Sequence, residues 1–289
     1  MRNLKVLLKM LFLTPLSALV LVSLAFTTLN YPSAQFVSPR SSDEISSNFK
    51  NYIDSTISEI ISRDYGSRRL GKEAIFTILG GTLRVSVAAT SSSSSAQGTG
   101  VLISSDVDIS SKKLKYKSYV VTNYHVVREA KNVKLEAFHY LDEKFISETS
   151  NYTGKVVAKS PELDLALIEI TSTRSIGQPL KLFNETDLSE ISLGEPVYIC
   201  GCSLGEPPAI TNGNLSQASS SQYTVSAFSI FGNSGGGAFT SNCKILGITR
   251  RIAAVQTPDG SVHPVPEMSN IIPAIIVREW LLSRGFNFD

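Results

Sequence analysis

The run FGNSGGG at residues 231–237 places one serine, Ser234, among four glycines. Glycine adopts backbone conformations that are closed to other residues, so this loop can turn tightly and expose the serine hydroxyl. The same loop can direct successive N–H groups into one small hollow, which is what a developing oxyanion requires. The run therefore predicts a nucleophilic serine beside an oxyanion hole formed by Gly232, Asn233 and Ser234.

A serine hydroxyl is a poor nucleophile at neutral pH and needs a neighbouring base, usually a histidine that a carboxylate orients. Of the three histidines, His125 lies in the run TNYHVV, at the end of a buried-looking strand where the chain turns, and the other two lie in polar or proline-rich stretches. Asp164 heads the apolar run DLALIEI, where a buried carboxylate is costly unless it is hydrogen-bonded. We predict His125 as the base and Asp164 as its partner. Taken singly, His125 fits a core histidine and Asp164 a turn cap equally well.

These three motifs, in the order His, Asp, Ser, resemble the triad motifs of chymotrypsin-fold serine proteases, in particular the HtrA/Deg branch. Residues 97–103 (QGTGVLI) resemble the family's early GTGV strand, and residues 193–216 resemble the opening of its second barrel. The resemblance implies two six-stranded antiparallel β-barrels with the triad in the cleft between them. It implies Ser234 as the nucleophile, His125 as the general base and then acid, and Asp164 as the group that orients the imidazolium.

The hydrophobic pattern independently predicts an all-β domain from about Lys72 onward, because short apolar runs alternate with turn-forming stretches. The predicted strands are residues 83–89, 100–104, 119–122, 133–138, 154–158, 165–170, 196–200, 223–227, 237–240 and 245–249. The serine tract at residues 91–95 is predicted as a loop within the domain. An apolar stripe at helical spacing over residues 270–283, ended by Gly285, predicts a C-terminal helix.

The resemblance also guides expectations about specificity. The strand after the nucleophile, residues 245–249, resembles the edge to which an extended peptide adds as a further strand. Phe228, Gly247 and Ile248 are the expected lining of the pocket for the P1 side chain. Phe228 stands six residues before Ser234, where a trypsin-like pocket would need an acid, so we expect an apolar or small P1 residue. Asn233 is neutral and cannot pair with a new N-terminal ammonium, so trypsin-style zymogen activation is not expected.

The N-terminal segment has the pattern of a membrane or export signal. Basic residues occur up to Lys9, and no charged residue follows between Met10 and Pro39. The apolar stretch from Leu11 to Leu29 would form roughly 28 Å of helix, close to the hydrocarbon thickness of a bilayer. We expect residues 1–30 to be an uncleaved anchor, with the catalytic domain periplasmic or extracellular by the positive-inside rule. The alternative is a secreted protein after signal cleavage.

Residues 31–71 are predicted as a linker, and residues 72–289 as the protease domain. From residue 40 the linker carries apolar residues at three- and four-residue spacing, which predicts one amphipathic helix. This helix docks on the catalytic domain, pairs with another subunit or forms a free stalk.

Composition limits the partners and cofactors. A net charge of +2 in 289 residues gives no electrostatic footprint for nucleic acid, and no closely spaced Cys and His pairs suggest a metal site, so no metal and no cofactor are expected. Cys243 either bridges Cys200 or Cys202, or all three thiols are free. HtrA proteins usually form trimers and carry PDZ domains after the protease. Only 40 residues follow Thr249, so we expect no PDZ domain in this chain. The resemblance then leaves the oligomeric state open, with a homo-oligomer as one option. The expected partners are protein or peptide substrates, and the alternative function is that of a catalytically inactive binding or scaffolding protein with the protease fold.

Overall fold

Two closed β-barrels, each built from six antiparallel strands, make up most of the described chain. The computed structural model describes residues 70–88, 95–109, 114–141, 145–184, 186–187 and 191–288. The strands of the first barrel are β1 (Thr82–Val87), β2 (Ala96–Val107), β3 (Tyr116–Thr122), β4 (Asn132–Leu141), β5 (Phe145–Ser160) and β6 (Leu165–Ser172). Those of the second barrel are β7 (Pro196–Gly201), β8 (Ala209–Ala218), β9 (Tyr223–Val225), β10 (Gly237–Phe239), β11 (Ile245–Gln256) and β12 (Val262–Pro273). The strand order is β1-β2-β3-β6-β5-β4 in the first barrel and β10-β11-β12-β9-β8-β7 in the second.

Apolar side chains fill both barrels and the region between them. The interior of the first barrel is formed by fully buried residues such as Leu83, Val120 and Ile168. A second cluster fills the other barrel and includes Val121 and Leu167 from the first. Side chains of β3 and β6 belong to both clusters, so the two barrels are in apolar contact along these strands. This contact fixes the positions of the strand ends that carry the site.

Three α-helices border the barrels in the described chain, α1 (Lys72–Gly80), the four-residue α2 (Tyr124–Val127) and α3 (Ala274–Ser283), and a short 3-10 helix spans Ser203–Gly205. Helix α3 buries Trp280 and Leu281 against the second barrel. The chain after it returns to the first barrel, where Phe286 and Phe288 contact the ring of Tyr119 with centroid separations of 5.6 and 4.9 Å. The C-terminal segment therefore contacts both barrels.

The predicted two-barrel architecture is confirmed, and each of the ten predicted strands overlaps an observed strand. Strands β8 and β12 were not predicted. The expectation of β structure from Lys72 was wrong at its start, because residues 72–80 form α1, which buries Ile78. The C-terminal helix begins at Ala274 rather than at residue 270, because Ile271 and Ile272 pair with β11 as part of β12.

Several predictions fall on residues that the structure does not describe. These are the anchor at residues 1–30, the linker helix between residues 40 and 69, and most of the serine tract at residues 91–95. Within the described part of the chain, no helix is long and apolar enough to cross a membrane.

Candidate active site

His125 lies on α2, directly after the end of β3. Pairing of β3 with β6 places Thr122 opposite Ala166, so the start of α2 stands beside the turn that holds Asp164. The backbone carbonyl of Asp164 accepts two hydrogen bonds from this segment, from Asn123 Nδ2 at 3.0 Å and from the N–H of Tyr124 at 3.1 Å. These hydrogen bonds hold the segment that carries His125 next to Asp164, independently of the contact between the two side chains.

The carboxylate of Asp164 contacts His125 through both of its oxygens. Asp164 Oδ1 accepts the His125 backbone N–H at 2.9 Å, and His125 Nδ1 lies 2.9 Å from Oδ2 and 3.1 Å from Oδ1. Asp164 adopts a left-handed conformation with φ of 58° at the end of the turn before β6, a region that Asp tolerates better than most residues. This geometry has Nδ1–H donating to the carboxylate, which leaves Nε2 as the lone-pair nitrogen of the imidazole.

Opposing effects set the pKa of the Asp164 carboxyl. Burial raises the pKa, but hydrogen bonds from the His125 side chain and backbone, together with the positive charges of His125 and Arg250, outweigh burial and hold the pKa below its ordinary value. The carboxyl is therefore ionised at neutral pH, and it stabilises an imidazolium when His125 takes up a proton.

Ser234 lies in a loop that two other segments hold in place. Its carbonyl accepts the N–H of Thr99, on β2 of the first barrel, at 2.8 Å. The next residue, Gly235, donates its N–H to the carbonyl of Thr249, and the N–H of Thr249 donates to Gly236, both at 2.8 Å. A Cβ atom at Gly235 would lie 2.2 Å from Thr122 Oγ1 and 3.1 Å from the nitrogen of Asn123, so the loop packs directly against the segment that leads into His125.

Two backbone amides of this loop have orientations suited to an oxyanion hole. Within the fully described segment from Phe231 to Gly237, the N–H groups of Gly232 and Ser234 are not donors in any of the loop's hydrogen bonds. The carbonyl of each preceding residue is held: Phe231 accepts from Leu204 at 2.7 Å, and Asn233 accepts from Gly236 at 2.9 Å. N–H and C=O point in opposite directions in a trans peptide. The N–H groups of Gly232 and Ser234 therefore point away from the nitrogens of Leu204 and Gly236, to which the two carbonyls are bonded.

Asn233 shapes the loop and differs in this respect from its two neighbours. Its N–H donates to the carbonyl of Ile230 at 3.1 Å and so is committed within a turn. Its side chain is buried, and its amide oxygen accepts the hydroxyl of Ser203 at 2.7 Å. The Asn233 N–H is therefore not available to an oxyanion in this structure, and the N–H groups of Gly232 and Ser234 are the candidate donors.

The structure joins His125 to Asp164 and places Ser234 in the adjoining loop. The hydrogen bonds of these three described residues do not include one between the imidazole and the Ser234 hydroxyl. Catalytic hydrogen bonds are often long in the absence of substrate. The His125 side chain is 41% exposed, so its outer face is accessible from solvent.

The predicted specificity residues separate into exposed and buried positions. Phe228 is 43% exposed and is available for contact with a substrate. Ile248, by contrast, is fully buried in the core of the second barrel, and a Cβ atom at Gly247 would lie 2.4 Å from the carbonyl of Ile272. Residues 247–249 are also flanked on both sides, by β10 or the nucleophile loop and by β12. The placement of Ile248 in an open pocket, and of a free edge at these residues, was therefore wrong, because closure of the barrel covers both.

The cysteines do not supply a competing nucleophile. Cys200, Cys202 and Cys243 are all free thiols. Burial raises the pKa of the Cys200 and Cys202 thiols to about 12, so both are protonated at neutral pH. No group of three or more possible metal ligands occurs among the residues that the structure describes.

Two residues at the site were missed by the sequence analysis. Thr99 is fully buried and joins the barrels: besides its bond to Ser234, its hydroxyl donates to the carbonyl of Gly232 at 2.6 Å and accepts the N–H of Cys202 at 2.8 Å. Arg250 follows the five buried residues at the start of β11 and contacts Asp164. The available signals were a polar residue between glycines for Thr99 and a charge directly after an apolar run for Arg250.

Substitution of Gly235 by alanine is expected to unfold the loop that carries Ser234. The residue has φ of +85°, and a Cβ atom would lie 2.1 Å from the carbonyl of Thr99. Gly260 has nearly the same φ, +86°, but open space around it, so alanine there costs only the conformational strain, about 1–2 kcal/mol. We expect Gly235→Ala to lose a further 1–3 kcal/mol or so by overpacking, as measured by urea denaturation. Equal losses in the two variants would contradict the packing described for this loop.

The chain is similar to a known protein family and to individual known proteins. Residues 98–248 match the family described as the trypsin-like peptidase domain. The periplasmic serine endoprotease DegP of Escherichia coli (strain K12) is 29% identical over 174 residues, which cover 57% of this chain and 31% of DegP. The magnetosome formation protease MamE of Magnetospirillum gryphiswaldense is 27% identical over 174 residues, covering 57% of this chain and 19% of MamE. The chain thus spans about a third or less of the length of these relatives.

Solved structures share the fold. The active form of the Rv3671c protease from M. tuberculosis superposes with a TM-score of 0.55 at 20% identity, covering 75% of this chain and 86% of the other. The serine endoprotease from Yersinia pestis gives a TM-score of 0.54 at 18% identity, covering 75% of this chain and 66% of the other. At these identities the likeness concerns the two-barrel fold.

Proposed function

Because the chain belongs to the family of trypsin-like peptidase domains, we propose that it is a serine endopeptidase that hydrolyses peptide bonds of protein substrates through Ser234, His125 and Asp164. The observation that carries this proposal is the pairing of His125 with Asp164 next to the loop that carries Ser234, in which the N–H groups of Gly232 and Ser234 have no acceptor among the loop's hydrogen bonds. The relatives named serine endoproteases support the same reaction class.

The reaction begins with attack of Ser234 Oγ on the carbonyl carbon of the substrate. His125 Nε2 takes the hydroxyl proton as the C–O bond forms, and Asp164 stabilises the resulting imidazolium. The carbonyl electron pair moves onto the oxygen, and the N–H groups of Gly232 and Ser234 donate hydrogen bonds to this oxyanion. Collapse of the intermediate breaks the C–N bond, and His125 returns its proton to the leaving amine. Water then hydrolyses the acyl-enzyme by the same steps, which regenerates the Ser234 hydroxyl.

We place the substrate main chain along β11 beyond Thr249. Up to Thr249, the strand is paired with β12 on one side and with β10 or the Ser234 loop on the other. Beyond Thr249, its pairing within the described chain is with β12 alone, so its second edge is open for a peptide that adds as a strand. This edge begins next to the nucleophile loop, which brings an extended substrate past Ser234.

The P1 residue of good substrates is expected to be apolar or small. Phe228 is partly exposed and offers apolar surface, and no acid stands at this position to pair with a basic side chain. The measurement is cleavage of a peptide library with all residues at P1, followed by mass spectrometry of the products. Preferential cleavage after Lys or Arg would contradict the assignment of Phe228 to this pocket.

The location of the enzyme is proposed from the N-terminal segment and from the relatives. We propose an anchor at residues 1–30, a linker at residues 31–71 and a protease domain at residues 72–289 outside the cytoplasm. The relative DegP is a periplasmic serine endoprotease, which supports this side of the membrane. The proposed substrates are proteins or peptides, and the proposal includes self-association into a homo-oligomer.

The alternative function, an inactive binding protein with the protease fold, is distinguished by reactivity. A fluorophosphonate probe labels only a serine that a neighbouring base activates. We expect native protein to be labelled and urea-unfolded protein to be inert. Absence of labelling in folded protein, at probe concentrations that label a known serine protease, would favour the binding function over the enzyme.

A further inference from the structure

Arg250 is an extra residue in β11. Thr249 pairs with Ile271 and Arg251 pairs with Asn270, so the register of β11 against β12 skips Arg250. A bulge of this kind bends the strand and redirects a side chain, and bulges are frequent beside active sites. The bulge directly follows the last contact of β11 with the Ser234 loop, so the redirected side chain emerges at the proposed active site.

The Arg250 side chain reaches across the boundary between the barrels. Its Nε donates to Asp164 Oδ2 at 3.4 Å, and the same oxygen lies 2.9 Å from His125 Nδ1. Asp164 belongs to the first barrel and Arg250 to the second. The Asp164 side chain is 11% exposed and that of Arg250 is 32% exposed, so the contact is partly shielded from water.

The charged groups that act on the Asp164 carboxylate come from two elements. They are His125, from α2, and Arg250, from β11. His125 supplies its backbone N–H to Oδ1 and its ring to both oxygens. Arg250 supplies its Nε, which donates to Oδ2.

We propose that Arg250 is a positioning residue of the active site, whose guanidinium holds the Asp164 carboxylate in the orientation that aligns His125. The inference rests on the proposed function, since alignment of His125 matters only for a proton-transfer reaction. The bulge provides the placement, and the shared Oδ2 atom couples Arg250 to the imidazole. Arg250 acts through Asp164 and does not contact the reacting atoms.

The cation also affects the proton affinity of the site. A positive charge beside Asp164 weakens the pull of the carboxylate on a protonated imidazole. Removing this charge therefore favours the imidazolium, which is inactive as a base. The acidic limb of the profile of kcat/KM against pH should move to higher pH in a variant without the charge, because more alkaline conditions are needed to free the base.

The test compares Arg250→Gln, Arg250→Lys and Arg174→Gln in the full chain, with kcat/KM measured against pH for a casein-derived peptide. Loss of a hydrogen bond to a charged group predicts that Arg250→Gln lowers kcat/KM by about ten- to a hundredfold and moves the acidic limb to higher pH. Arg250→Lys keeps the charge and should keep the wild-type position of that limb. Arg174 also contacts a carboxylate, that of Glu148 at 3.5 Å, but both side chains are exposed and neither contacts a residue of the proposed site, so Arg174→Gln should match the wild type in rate and profile.

Rates are divided by the folded fraction from near-ultraviolet circular dichroism, so that partial unfolding does not imitate a catalytic effect. Wild-type kcat/KM in Arg250→Gln would overturn the inference, and so would a lowered rate with an unmoved acidic limb, which a purely structural residue would give. Absence of turnover in the wild type would instead contradict the proposed function, so the two failures are distinguishable.

Discussion

Replacement of Ser234 by alanine is expected to lower the rate of casein hydrolysis by about 10⁶-fold, to the level of residual catalysis by binding and the oxyanion hole. The fold should survive, because Ser234 contributes to the loop through its carbonyl, which accepts from Thr99 and which alanine retains. Turnover is measured with fluorescein-labelled casein, and stability by urea denaturation of the same preparation.

Ser118→Ala is the matched control for this loss of a hydroxyl. Ser118 is fully buried on β3 of the first barrel, and its hydroxyl bonds to that of Ser105 at 2.8 Å. Its loss should reduce stability by about 1 kcal/mol without changing the rate per folded molecule. Undiminished casein hydrolysis by Ser234→Ala would refute the assignment of the nucleophile.

Replacement of Asp164 by asparagine should lower kcat by about 10⁴-fold. The amide oxygen can still accept the His125 backbone N–H, which turns the amide nitrogen toward His125 Nδ1. Facing a donor, Nδ1 becomes an acceptor, and the ring proton moves to Nε2. Nε2 then points a proton at Ser234 and cannot remove one from its hydroxyl.

Asp187→Asn is the control for loss of a buried carboxylate elsewhere. Asp187 is 4% exposed and forms an ion pair with Lys244 in the second half of the chain. This variant should lose stability but keep the wild-type rate per folded molecule. Retention of more than about a tenth of the wild-type kcat by Asp164→Asn would contradict the proposed role of Asp164.

The lowered pKa of Asp164 has a consequence for stability against acid. A carboxyl whose pKa is lower in the folded state contributes stability above the pKa of the unfolded chain, and this contribution is lost as the pH falls through the folded value. Asp164→Asn lacks the contribution at every pH. The difference in the free energy of unfolding between wild type and variant should therefore shrink on acidification.

Short local patterns were sufficient to predict ten of the strands, and the resemblance of the motifs to a known family predicted the two barrels. The assignment of Ser234, His125 and Asp164 as a triad rests on the same motifs and stays a prediction. The glycine-rich run around Ser234 and the apolar runs next to His125 and Asp164 are each readable within about ten residues. The confirmed strands, such as β6, are continuous apolar segments whose burial needs no knowledge of distant residues.

Other features depend on contacts between distant parts of the chain and were not predictable from local patterns. The bond between Thr99 and Ser234 and the contact of Arg250 with Asp164 form only when the two barrels meet. The sequence around Ile248 is typical of a strand, and it fits an open sheet edge as well as a closed barrel. Ile248 is buried because the second barrel closes around it. Helix α1 was missed because its nine residues are too short a segment to distinguish helical from strand periodicity.

The claim that Ser234, His125 and the two loop amides act on one substrate atom is tested most directly by a crystal structure of the protein after reaction with a fluorophosphonate. The account predicts a covalent bond from phosphorus to Ser234 Oγ, with the phosphonyl oxygen about 2.7–3.1 Å from the nitrogens of Gly232 and Ser234. His125 Nε2 should then lie within hydrogen-bonding distance of the adduct. Phosphorus on another residue, or a phosphonyl oxygen directed away from both amides, would contradict the account.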